Sequence, residues 1–310
     1  MTKVPSLCIL IPCHNEGVSI FDVVNEYKTA FPQAGILVVD NASTDETGRI
    51  AAEAGAEVLR EPLKGKASAI NAALETIQTD VVIMVDGDGS YPAEGARILY
   101  AQYLEQPSDL ITGIRVPANR NASVFRPAHQ LGTKLFAICT SLVFGCRPAD
   151  VFSGLRLFSR RFYKNVPILS SGFELEIELT IQAVDKGFHF SEVEIPFRER
   201  ARGTSSKLRT IRDGFKILRS LLLLFRDYKP LYFLGTIALC FLILGLLAGF
   251  PPVYEYYQTH LVGRFPLAIL AAALVNISLF TFLTGLVAET NLRYHREAFQ
   301  IRLRNFQSPS

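Results

Sequence analysis

The chain has 310 residues, 49% of them apolar and 20% charged, which excludes a disordered chain, since those are poor in apolar residues and strongly charged. Its net charge of +3 is too small to imply a nucleic-acid partner. Cys8, Cys13, Cys139, Cys146 and Cys240 form neither a CxxC metal pair nor a disulfide framework, which favours a reducing, cytosolic setting.

The N-terminus has no long apolar run before Cys13-His14-Asn15-Glu16 and is not expected to be a signal peptide. From Ser6 to about Thr210 the chain reads as α/β. Apolar runs at Leu7–Ile11, Ile36–Val39 and Val81–Val85 alternate with helical stretches at about 18–31, 45–54 and 66–77. Buried parallel strands covered by helices on both faces have this pattern. Each strand runs into polar residues: Pro12 to Glu16, Asp40 to Asp45, and Asp86-Gly87-Asp88. Ligands of open α/β sheets bind outside the carboxyl ends of the strands, so three polar clusters there point to one site.

Residues 207–230 read as a basic amphipathic helix. Ile211, Phe215, Leu218, Leu222 and Phe225 recur at steps of three and four, with Arg212, Lys216, Arg219 and Arg226 mostly on other faces. Such a helix suits an anionic membrane interface; the alternative is a helix packed on the globular domain. The mean hydropathy of +0.23 is high for a soluble protein, and two C-terminal runs account for the excess. Leu231–Phe250 and Phe265–Ala288 carry no charge, and each is long enough to span a bilayer core. Two buried core helices are the alternative. Lys216, Arg219, Arg226 and Lys229 precede the first run, and Arg293, Arg296, Arg302 and Arg304 come after the second. The connecting loop from Pro251 has only Arg264 and His260, with Glu255 opposing. The positive-inside rule then puts both termini in the cytoplasm. The expected organisation is a catalytic domain over 1–206, the interfacial helix over 207–230, spans over 231–250 and 265–288, and a tail over 289–310.

Asp86-Gly87-Asp88 is the sharpest chemical feature. Two carboxylates on a turn can hold Mg²⁺ or Mn²⁺ and leave positions open for phosphate oxygens. Such triplets are also common in surface turns, but this one ends an apolar strand. Asp40 can accept hydrogen bonds from a base edge or a ribose; its other reading, an N-cap, falls better to Ser43 or Thr44. No GxGxxG follows the first strand and no GxxxxGK[ST] occurs, against a dinucleotide oxidoreductase and a P-loop NTPase. Asp150 has two readings, as a general base or as an orienting partner of Arg156 or of the acceptor. His14, His129 and His189 show no metal spacing.

Ile11-Pro12-Cys13-His14-Asn15-Glu16, Val39-Asp40-Asn41-Ala42-Ser43-Thr44-Asp45, Lys64-Gly65-Lys66-Ala67 and Asp86 to Pro92 resemble the family-2 glycosyltransferases with a GT-A fold. Thr112-Gly113-Ile114-Arg115, Asp150 to Arg156 and Arg200 to Lys207 resemble the dolichyl-phosphate mannose synthase and polyprenyl-phosphate glycosyltransferase branch. The resemblance implies a Rossmann-like GT-A domain followed by the amphipathic helix and two transmembrane helices. It implies that Pro12, His14, Glu16, Val38 and Asp40 line the nucleoside pocket. Asp86 and Gly87 would lie near the ribose and diphosphate, with Asp88, alongside Asp86, as metal ligand. Arg115, Arg200 or Arg202, and Lys207 would bind phosphate; on charge grounds Arg126 is a further candidate phosphate clamp, its alternative being a solvent-facing salt bridge. The family often has Asp-Asp or Asn-Asp where this chain has Asp40-Asn41, and the Arg200–Lys207 segment is one residue longer than in the mannose synthases.

The implied reaction moves a hexose from a UDP- or GDP-linked donor to a polyprenyl phosphate at the cytoplasmic face, with Mg²⁺ or Mn²⁺ as cofactor. The implied partners are the donor, the acceptor and the bilayer, with no nucleic acid and with a homo-oligomer left open. A processive polysaccharide synthase is disfavoured, since those need several spans and a Gln-x-x-Arg-Trp motif, and this chain has no tryptophan. A non-catalytic nucleotide-binding scaffold is disfavoured by the intact Asp86, Asp88, Arg115 and Lys207.

Overall fold

The structure, a computed structural model, describes residues 4–117, 141, 148–168, 175–198, 222–223 and 225–307. The chain divides into two units, residues 1–218 with 303–310, and residues 219–302.

The first unit is built on β1 (Leu7–Cys13), β2 (Gly35–Asn41), β3 (Glu57–Glu61), β4 (Val81–Met84), β5 (Leu110–Pro117), β6 (Arg156–Ser159) and β7 (Phe190–Phe197). They form one sheet in the order β3-β2-β1-β4-β6-β5-β7. All pairings are parallel except those of β6, which runs antiparallel to β4 and β5. Helices α1 (Ile20–Ala30), α2 (Thr47–Glu53), α3 (Lys66–Thr76) and α4 (Ala93–Glu105) connect the parallel strands. A short α5 (Arg160–Tyr163) and α6 (Leu175–Asp185) lie between β6 and β7. The expected α/β alternation is present, with boundaries shifted by one or two residues. β3 escaped sequence analysis because it is an edge strand, Glu57-Val58-Leu59-Arg60-Glu61, with only two apolar residues.

Strands β4 and β6 are buried along their whole length, because helices cover both faces of the sheet. Ile9, Ile11, Ile83 and Leu157 from the strands pack with Val24, Tyr27 and Leu99 from the helices in one apolar core. Cys8 and Cys13 are part of this interior. Burial, with Glu57 second, pushes the Cys8 thiol up to about 12, and burial also drives Cys13 well above the ordinary thiol range. Neither forms thiolate near neutral pH. A polar alkylating reagent at pH 8 is therefore expected to leave Cys8 and Cys13 unmodified in the folded protein and to modify both in denaturant, read by peptide mass spectrometry. Rapid native labelling of either would mean that the sheet opens readily.

The second unit contains α7 (Pro230–Thr259) and, up to Arg302, α8 (Phe265–Gln307). Both are long and apolar enough to cross a membrane. Only 11% of the most apolar stretch of each is buried within the protein, which is unlike the core helix of a soluble domain. Two local differences from expectation stand out. α7 runs through Pro251 and Pro252 to Thr259, where a loop was expected, and ends on His260 in the left-handed region with its N–H on Tyr256 O. Prolines are tolerated where neighbouring groups take up the freed carbonyls. α8 continues through the expected tail because residues 286–307 contain neither Gly nor Pro. Small residues let the two helices approach: the Ser278 hydroxyl donates to Ala238 O at 2.7 Å, and a Cβ on Gly245 would lie 3.3 Å from Ala271 O.

Candidate active site

The chain leaves β1 toward β2 and β3 on one side and returns to β4 on the other. Open α/β sheets bind ligands at such a switch point. The β1–β4 ladder ends at Leu10 opposite Met84, two residues before Pro12, which has no N–H to extend it. Because β6 is antiparallel, Arg156 lies opposite Met84. The segment leading into β6 therefore arrives at the carboxyl end of β4.

Side chains tie the first two strand-end turns together. His14 Nδ1 lies 2.8 Å from Asn41 O. The Asn15 N–H donates to Ser43 Oγ, and Asn15 Oδ1 accepts from the Thr44 N–H at 2.8 Å. The Glu16 N–H donates to Thr47 Oγ1 at 2.9 Å. Asn15 and Ala42 both take positive φ, 56° and 51°, a conformation that costs a non-glycine residue free energy and persists only where its surroundings enforce it. Ser43 and Thr44 were expected to cap α2, but they are turned toward Asn15. Asp45 serves that helix end instead, accepting from the Thr47 N–H at 3.1 Å. Burial raises the Asp45 carboxyl, yet the bonds from Thr47 and from the Gly17 N–H hold it below the usual carboxylate range.

Asp40 is buried, accepts the Ser43 N–H at 3.2 Å and has Arg60 Nε 3.9 Å away. Asn41 explains the departure from the Asp-Asp pattern. Its amide donates to Glu61 O and Leu63 O and accepts from the Gly65 N–H at 2.7 Å. A carboxylate could not make the two donations. Val38, expected along the nucleoside pocket, is fully buried and packs within the apolar core, because β2 is covered on both faces there.

At the end of β4, Asp88 Oδ1 accepts from the Ser90 N–H at 3.0 Å and from the Ser90 hydroxyl. Asp86 Oδ1 accepts from Lys66 Nζ at 2.6 Å, and the same ammonium donates to Glu176 Oε1 at 2.6 Å. Burial pulls Lys66 down, but Asp86 and Glu176 outweigh it and hold the ammonium above the ordinary lysine range. Gly154 abuts the opposite side of Asp86: a Cβ there would lie 2.2 Å from Oδ2. Gly87 is equally confined, its Cβ position being 2.5 Å from Cys13 Sγ.

Arg115 and Asp150 form a bidentate pair, Nε to Oδ2 at 2.7 Å and Nη2 to Oδ1 at 2.8 Å. The Arg115 guanidinium also sits 5.5 Å from the centre of the Phe197 ring. From the sequence, Arg156 is one candidate partner of Asp150. Arg156 is instead fully buried and donates to Ser153 O, Val151 O and Thr180 Oγ1, which shapes the turn carrying Gly154. Its burial lowers it from the ordinary arginine value.

The structure thus brings Asp86, Gly87 and Asp88 together with Lys66, Glu176 and Gly154. Arg126, Arg200, Arg202, Lys207 and most of the amphipathic helix lie outside the described residues. Lys66 lies in the Lys64–Ala67 motif with no role of its own legible there, and Glu176 lies in none of the motifs. Its only local signal is that Glu176 and Glu178 alternate with apolar residues at the start of α6. Among the described residues no group of three or more His, Cys, Asp or Glu side chains gathers for a metal ion. Asp86 and Asp88 suit Mg²⁺ or Mn²⁺, hard ions that take one or two carboxylates and fill their shells with phosphate and water.

Glycosyltransferase AglJ of Haloferax volcanii is 28% identical to this chain over 293 residues, 94% of this chain and 95% of that protein. The dolichyl-phosphate hexose transferase of the same organism is 26% identical over 215 residues, 69% of this chain and 92% of that protein. Glucosyl-3-phosphoglycerate synthase from Mycobacterium tuberculosis, solved with Mn²⁺ and UDP-glucose, superposes with a TM-score of 0.57 at 22% identity, over 72% of this chain and 79% of that one. That likeness is one of fold. Residues 8–166, more than half of the chain, match the model of glycosyl transferase family 2, and with the sheet order and strand-end turns described above this chain belongs to that family and has its GT-A fold.

Proposed function

We propose that this glycosyltransferase moves a hexose from a UDP- or GDP-linked donor to a polyprenyl phosphate, with inversion at the anomeric carbon. The observation that carries the reading is the Asp86-Gly87-Asp88 turn at the switch point, braced by Lys66 and Gly154, in a chain that also has two helices of membrane-spanning length. The name of the Haloferax dolichyl-phosphate hexose transferase supports the same acceptor class.

In this reading the turns at His14–Glu16 and Asp40–Asn41 take the nucleoside, and Asp86 and Asp88 face the diphosphate. A divalent ion, Mg²⁺ or Mn²⁺, would be held by Asp88 with Asp86 and would supply positive charge to the departing diphosphate. An oxygen of the lipid phosphate attacks the anomeric carbon as the bond to the nucleotide diphosphate breaks. A phosphate monoester, with its second pKa about 6, is already ionised near neutral pH, so a strong base is unnecessary. Asp150, with both oxygens on Arg115, is assigned to orienting that guanidinium for phosphate. Arg126, Arg200 or Arg202, and Lys207 are assigned as the further phosphate ligands, and the flanking arginines and lysines support catalysis on the cytoplasmic side.

The test is turnover by the purified chain with a panel of UDP- and GDP-hexoses and a short polyprenyl phosphate, scored as released nucleotide. Release should require both the lipid phosphate and a divalent ion and should stop on chelation. Release that persists under full chelation would sink the metal assignment. Release with a neutral alcohol but not with the lipid phosphate would sink the acceptor.

A further inference from the structure

Lys66 is flanked by two carboxylates that come from distant parts of the chain. Asp86 follows β4 and Glu176 sits in the first turn of α6, and each places an oxygen 2.6 Å from Nζ. Glu176 is only 8% exposed, while Lys66 and Asp86 are each 27% exposed. The geometry points to Lys66 as an internal counter-ion that competes with the divalent ion for Asp86, so that metal and donor nucleotide load together rather than the metal alone. This inference rests on the proposed placing of the metal at Asp86 and Asp88.

The physical reason is charge balance. Asp86, Lys66 and Glu176 sum to one negative charge, and both carboxylates already have a cation in contact. A divalent ion arriving alone must draw Asp86 away from an ammonium at hydrogen-bond distance, and among the described residues no group of three or more His, Cys, Asp or Glu side chains gathers to hold it. A nucleotide diphosphate brings its own oxygens and negative charge. Those complete the metal's shell and offer the ammonium another anion. Glu176 keeps Lys66 in reach during the exchange, which makes it a positioning residue. Coupling of this kind is reciprocal: the metal should tighten nucleotide by the same factor as nucleotide tightens the metal.

The test measures free Mn²⁺ by electron paramagnetic resonance with the full chain in detergent, with and without UDP or GDP. Wild type should bind Mn²⁺ weakly alone and at least tenfold more tightly with the preferred nucleotide. Lys66→Met should bind Mn²⁺ without nucleotide about tenfold more tightly than wild type. The gain should vanish when Asp86→Asn is added, which identifies the released carboxylate as the ligand. Arg60→Gln removes a positive charge that lies 3.9 Å from Asp40 rather than on Asp86 and should stay within twofold of wild type. If Lys66→Met lacks a cooperative thermal transition, Glu176→Gln carries the test. It leaves Lys66 to Asp86 alone and should weaken nucleotide-free Mn²⁺ binding about threefold. Unchanged or weaker nucleotide-free binding by folded Lys66→Met, or tighter or unchanged binding by Glu176→Gln, would overturn the counter-ion role while leaving the enzyme reading intact. Absence of Mn²⁺ binding by wild type with either nucleotide would instead remove the metal reading itself.

Discussion

Asp88→Asn is expected to fold and to lose transfer by about a thousandfold, the scale seen when a charge acting on the transition state is removed. The amide keeps an acceptor for the Ser90 N–H, which lies 3.0 Å from Oδ1 in the structure, so the turn survives while the negative charge does not. Asp88→Ala removes both. It should show the same catalytic loss together with a fall in stability of about 1–2 kcal/mol from the orphaned Ser90 donors, because Asp88 is buried. Released nucleotide in the presence of Mn²⁺, and thermal unfolding of the same samples, separate the two effects. Turnover by Asp88→Asn within tenfold of wild type would show that the carboxylate does not hold the metal.

Gly154→Ala should be almost as damaging, although Gly154 carries no chemistry. A methyl group there would lie 2.2 Å from Asp86 Oδ2 and 2.7 Å from its Cγ. The backbone cannot retreat easily, since Arg156 pins the turn through Ser153 O and Val151 O and the Gly154 N–H is held by Tyr91 Oη at 2.7 Å. Asp86 must therefore turn away from Lys66. Turnover is expected to fall at least about a hundredfold, since misplacement by about 1 Å costs that much. Overpacking should destabilise the fold by about 1–3 kcal/mol. Pairing the substitution with Asp86→Ala should restore the thermal transition but not the activity. Gly154→Ala with activity within threefold of wild type would mean that the position of Asp86 is immaterial.

The contrast between these two residues marks what was legible. Asp88 could be read from the chain because its signal is local: a carboxylate pair directly after an apolar strand. Gly154 lies within the Asp150–Arg156 motif, yet its role is steric and concerns a side chain far away in the sequence. Glu176 was invisible for the same reason, since it meets Lys66 across 110 residues. Arg115 and Asp150 were both singled out, but their pairing across 35 residues was not, and Arg156 proved to serve backbone carbonyls instead.

Alternating apolar runs, polar strand ends and two long uncharged stretches are short-range properties, set by burial and by backbone chemistry at each position. They were enough to determine an α/β domain with its candidate residues at the strand ends and two helices of membrane-spanning length. Sheet order, the reversal at β6 and the partner of each charged group depend on contacts between segments distant in the chain. Charges choose partners by distance in space, and a composition or spacing rule carries no such distance. Tertiary structure therefore decided that Val38 is core, that Asn41 must be an amide, and that Lys66 stands between Asp86 and Glu176.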